Sequence, residues 1–150
     1  MTHVLAWPPA VADAAVEETI EVQAIAWLKA DARLTAILAG RIYTHVPPST
    51  PFPLVRLEGM VPILANGFRR YRFLVEFQAR ASSQLKGPYE AHRIASRIRQ
   101  VLVERAAPLP PFRWARWAAN PTGSPITYTE EIAGVVTYHQ PTIVRVEVEV

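Results

Sequence analysis

Apolar residues recur at three- and four-residue steps in two parts of the chain and at two-residue steps in several others. From about Ala14, the residues Val16, Ile20, Gln23, Ala24, Trp27 and Leu28 fall on one helical stripe. Glu17, Glu18 and Glu21 occupy the early turns, where carboxylates suit the helix dipole. Asp31 is placed to cap a short second helix carrying Leu34, Ile37 and Leu38, and Gly40 to supply the left-handed residue after it. A second long helix is expected over 88–105, opened by Pro88, with Ala91, Ile94, Ala95, Ile98, Val101 and Leu102 on its apolar stripe. It stops before the prolines at 108, 110 and 111.

Two-residue alternation marks the strands. The clearest covers 69–81, with Tyr71, Phe73, Val75 and Phe77 on one side and Arg70, Arg72, Glu76 and Gln78 on the other; Leu74 breaks the rule. Segments 41–46 and 54–61 read as strands separated by Pro47, Pro48, Pro51 and Pro53. Residues 62–67, ending in Asn66-Gly67, read as a projecting loop tip. Further strands are expected at 112–118, 126–133, 135–139 and 142–150, with a loop at 120–125. The order predicts an α+β domain: an antiparallel β-sheet with two main amphipathic helices packed on one face. Residues 1–13, with Trp7-Pro8-Pro9, read as an extended N-terminal arm, and 14–150 as a single domain.

Composition agrees. A chain of 150 residues, 50% hydrophobic and 19% charged, can build a proper core and does not resemble a disordered segment. Its apolar runs are far shorter than the ~20 residues of a membrane span, and its N-terminus lacks the basic start of a signal peptide. Without cysteine it has neither disulfides nor thiolate metal sites. The net charge of +3 is small and no basic block stands out, so strong nucleic-acid affinity is not implied.

Candidate chemistry is sparse. His3, His45, His92 and His139 form no HxH or HExxH pattern and read as surface or strand-end residues. No cysteine or GxSxG elbow supplies a nucleophile, and Ser82-Ser83 fits a helix cap. Asp13 and Asp31 read as helix-start residues, and Glu130 and Glu131 point to opposite sides of a strand. No glycine-rich phosphate loop is present. Aromatic and basic residues interleave at 68–73 and at 112–117. Such interleaving suits single-stranded nucleic acid or a protein interface, where Trp and Arg are enriched. The interface reading is favoured, because Trp114 and Arg116 share a face while the first segment separates into core and solvated sides.

The segments AIAWLKADARLTAILAGRIYTHVP, PFPLVRLEG, RRYRFLVEFQARA, YEAHRIASRIRQVLVE and TYHQPTIVRVEVEV occur in the order seen in the phage tail terminator or tail completion family, which the chain resembles from about Ala24 to Val150. The N-terminal arm lies outside that core. The resemblance implies a non-enzymatic virion protein of the tail or neck, assembled in the host cytoplasm. It implies a homo-oligomeric ring, expected as a hexamer, that caps the tail tube, stops its growth and offers the head–tail joining surface. Expected partners are the tail tube protein, the head–tail connector or stopper protein, and genomic DNA passing through the lumen without sequence-specific binding. No cofactor, metal or membrane is implied. The alternatives are a head-side connector or stopper and, from a different class, a nucleic-acid-binding module. Trp7, Pro47, Pro48, Pro51, Phe52, Asn66, Phe68, Trp114, Arg116 and Trp117 are the candidate interface residues.

Overall fold

A computed structural model of the chain describes residues 9–66, 70–82, 87–103, 114–119, 128–132 and 134–149. The elements run α1 (Pro9–Ala30), α2 (Ala32–Leu38), β1 (Ile42–Tyr43), β2 (Leu54–Asn66), β3 (Arg70–Ser82), α3 (Gly87–Val103), β4 (Trp114–Ala119), β5 (Tyr128–Ile132) and β6 (Val135–Glu149). One sheet holds the strands in the order β1-β2-β3-β6-β4, and β5 also pairs with β6. β4 pairs with residues 144–149 of β6 and β5 with residues 135–139, so the two lie end to end along one edge of β6. All pairings are antiparallel except that of β1 with β2. The expected α+β class with a largely antiparallel sheet is therefore the observed one.

The core fills the space between the helices and one face of the sheet. Phe73, Val75 and Phe77 of β3 are buried beside Val144, Val146 and Val148 of β6. Ile94, Ile98 and Leu102 of α3 and Ile20, Ala24 and Leu28 of α1 close over them. The α3 stripe read from periodicity is buried in full. In α1, Gln23 is only half-buried, while Val16, Ile20, Ala24, Trp27 and Leu28 are buried as expected. Asp31 caps α2 as its spacing predicts, accepting the Leu34 amide N–H at 3.1 Å.

Four local expectations are corrected. The helix α1 begins at Pro9, not near Ala14, so residues 9–13 are helical and not part of an extended arm. Proline suits the first turn, where its missing N–H is no loss. Second, β1 is only two residues long and runs parallel to β2. Third, residues 62–66 are not a projecting tip. The β2–β3 ladder continues to Asn66 opposite Arg70. Pro62 is accommodated there at a register break next to Leu64, on a strand whose outer side pairs with β1 only at Val55 and Arg56. Fourth, the segments expected at 135–139 and 142–150 form one strand that runs through Pro141. Pro141 falls between the stretches of β6 paired by β5 and by β4, where the missing donor interrupts no second described ladder.

Candidate functional site

The segment 44–53 joins two parallel strands through a loop dominated by proline. Ala39 (φ 50°) and Gly40 (φ 82°) both take left-handed conformations and turn the chain out of α2. No atom lies close to where a Gly40 side chain would begin, so glycine serves the backbone angle there and not a tight contact. Val55 N–H then bonds to the Arg41 carbonyl at 2.9 Å. Two arginines clasp the ends of the loop. Arg41 Nε donates to the Pro53 carbonyl at 2.8 Å, and Arg56 Nε donates to the Thr44 carbonyl at 3.4 Å. Within the loop, Ser49 takes a left-handed conformation and Thr50 Oγ1 donates to the Pro47 carbonyl at 2.6 Å. The Phe52–Pro53 peptide is cis. Pro47, Pro48 and Pro51 are exposed, and Phe52 is half-buried. Glu21 of α1 lies within electrostatic range of His45. Burial pushes the Glu21 carboxyl up, Glu18 adds to this, and His45 partly offsets it.

The opposite end of the sheet is β4. In its register with β6, Trp114 stands opposite Glu149 and Arg116 opposite Glu147, so the two share a face as the sequence suggested. Arg116 is exposed. Trp117 points the other way. It is 4% exposed, and its ring meets that of Trp27 edge to face at 6.1 Å. As a core residue it is removed from the candidate interface set. Trp7 and Phe68 lie outside the described residues, and of Asn66 and Trp114 only the backbone is described.

On the sheet face turned away from the helices, a polar cluster joins β3, β5 and β6. His139 is 3% exposed and Gln78 5%, which corrects the surface or strand-end reading of this histidine. His139 Nδ1 lies 3.1 Å from Gln78 Oε1, and its Nε2 lies 3.0 Å from Thr137 Oγ1, which donates to the Glu130 carbonyl at 3.0 Å. The Tyr128 ring stacks on the imidazole at 4.9 Å, and its hydroxyl accepts from Gln78 Nε2. Burial holds the His139 pKa below its ordinary value, and Arg80 pushes the same way against Glu130 and Glu58. Arg80 Nε donates to Gln78 Oε1 at 2.7 Å and its Nη2 pairs with Glu58 at 3.1 Å. This cluster satisfies buried polar groups. Among the described residues no group of three His, Cys, Asp or Glu side chains is placed to hold a metal ion. Alternation places His139 on one face of β6 with Thr137, but the residues that bury it come from β3 and β5 and leave no signal beside it in the sequence.

Elsewhere on this face, Arg72 and Glu147 pair directly across the β3–β6 ladder, with Nε to Oε2 at 2.8 Å. Arg72–Glu147 and Arg80–Glu58 are thus two arginine–glutamate pairs on this side of the sheet.

The sequence profile of the family described as "Tail completion protein gp17" matches residues 23–136. The chain belongs to the tail completion protein gp17 family. Membership makes it a structural virion protein of the phage tail, acting in tail completion and associating with other tail and head components; the family is not an enzyme class. No curated protein matches the sequence. Among solved structures, a chain of the "Virion of native gene transfer agent (GTA) particle" is similar with a TM-score of 0.59 at 19% identity. The match covers 85% of this chain and 92% of that chain. At that identity the likeness is one of fold. No helix among the described residues is long and apolar enough to cross a membrane.

Proposed function

We propose that this tail completion protein is a tail terminator. It forms a ring, in our reading a hexamer, that caps the tail tube, stops tube polymerisation and presents the surface to which the head connector or stopper joins. Each subunit contributes a single domain, catalyses nothing, and leaves genomic DNA free to pass through the opening without base-specific contacts. The observation that supports this most is the chemical difference between the two ends of the sheet. One end carries the clasped proline loop and the other the strand with Arg116. A ring closed by rotation needs two different patches on each subunit, and a chain with unlike flanks supplies them.

The sheet face away from the helices speaks against the nucleic-acid-binding alternative. Two of its described arginines are neutralised by carboxylates, in Arg72–Glu147 and Arg80–Glu58, which weakens the case for a continuous basic track among the described residues. Deleting the gene tests the role: the expected product is tails of uncontrolled length or heads left unjoined. Normal virions from the deletion would refute it.

A further inference from the structure

We infer that the contact between neighbouring copies in the ring seats the proline loop of one copy, residues 44–53, on the β4 strand of the next. The inference rests on the ring reading given above and adds which surfaces meet.

Topology places the two surfaces correctly. The loop leaves β1, the strand at one end of the sheet order, and β4 stands at the other end. They therefore occupy opposite flanks of one subunit, as a head-to-tail contact requires. The remaining surface of the loop's flank is ill suited to pairing. The outer edge of β2 carries Pro62 and register breaks after Leu57 and after Pro62, and such features deter strand addition.

The chemistry is complementary. The loop contains no Asp, Glu, Lys or Arg, and its four prolines lack N–H groups, so its backbone has more carbonyl acceptors than N–H donors. Arg116 offers only donors. Its cross-strand neighbour Glu147 is already engaged by Arg72, and no ion-pair partner of Arg116 is found among the described residues. Proline rings also pack well against the flat face of a guanidinium. The loop is held in advance by Arg41, Arg56 and Thr50, so little conformational freedom is lost when it docks.

The absence of cysteine makes a clean test possible. Ser49→Cys and Ala118→Cys are introduced together in the full-length protein; Ser49 is exposed, and Ala118 is half-buried and shares the Arg116 face of β4. Mild oxidation of the assembled protein is expected to yield a ladder of covalently linked subunits, and an equal mixture of the two single variants a linked dimer. Arg116→Ala is expected to weaken subunit association by about tenfold or more while leaving the melting temperature of the subunit unchanged. An assembled ring that shows no intersubunit disulfide, with Arg116→Ala assembling as well as wild type, overturns the contact and leaves the ring intact. Linkage of Ser49→Cys to tube protein in place of a second copy also overturns it. A chain that stays monomeric even with tube present removes the ring reading, and the contact with it.

Discussion

Asp31 and Arg97 tie the helix layer together. Arg97 Nη2 lies 2.7 Å from Asp31 Oδ1, and its Nε lies 3.1 Å from Oδ2, the oxygen that also accepts the Leu34 amide. One carboxylate thus caps α2 and holds α3. Replacing it by alanine removes a cap and a charge-assisted pair together, and the expected loss is about 2 kcal/mol, measurable by urea unfolding. The hydrogen bond from Arg97 is the main reason that the Asp31 carboxyl titrates below its ordinary value. A carboxyl with a depressed folded-state pKa stabilises the fold above its unfolded pKa, about 4, and this contribution is lost as pH falls through the folded value. Arg97→Ala is therefore expected to flatten the acid limb of the stability curve below about pH 4.

Trp117 distinguishes core from interface. If it packs on Trp27 as described, Trp117→Ala destabilises the subunit by about 3–5 kcal/mol and does not act selectively on assembly. Its buried Nε1 has no hydrogen-bond partner among the described residues. Trp117→Phe, which discards that N–H and keeps an aromatic ring, is expected to cost much less than the alanine variant. Thermal melts of both variants check the order.

The two left-handed residues after α2 make opposite predictions. Gly40 at φ 82° is strained by any side chain, so Gly40→Ala is expected to cost about 1 kcal/mol. Ala39 carries a side chain at φ 50°, so Ala39→Gly is expected to leave stability unchanged or raise it by up to about 1 kcal/mol. Denaturant midpoints decide.

His139 predicts a pH dependence near neutrality. Its folded pKa is depressed by burial. Below the unfolded value of about 6.5 the unfolded chain binds the proton more readily, so stability falls as pH drops below that value. In His139→Gln, melting temperatures at pH 7 and pH 5 are expected to lie closer together than in wild type. Equal differences in the two proteins would contradict a depressed His139 pKa.

The helices and the central strand were legible in the sequence because one energetic term dominates each. The α3 stripe and the alternation from Tyr71 to Phe77 have a wholly apolar side to bury. The boundaries that were misplaced have prolines at them. Pro9 opens a helix, Pro62 lies within a paired strand, and Pro141 interrupts nothing, because each sits where the missing N–H has no ladder partner to lose. Such positions depend on neighbouring strands, which local pattern does not reveal. The parallel β1–β2 pair is likewise set by tertiary contact: a two-residue strand carries no period. At the candidate site, the shared face of Trp114 and Arg116 followed from alternation. The same alternation assigned Trp117 to the opposite side, yet only the pairing with β6 and the contact with Trp27 show that this side is the core. His139 was hidden by its isolation in sequence, since the partners that bury it come from β3 and β5.

The proposed ring at the end of the tail tube is open to direct observation. Electron microscopy of the purified protein, alone and added to tail tubes, tests shape and position together. Closed rings, hexameric in our reading, are expected on one end of the tube. A protein that remains monomeric at high concentration with tube present, and leaves the tube ends bare, would contradict it.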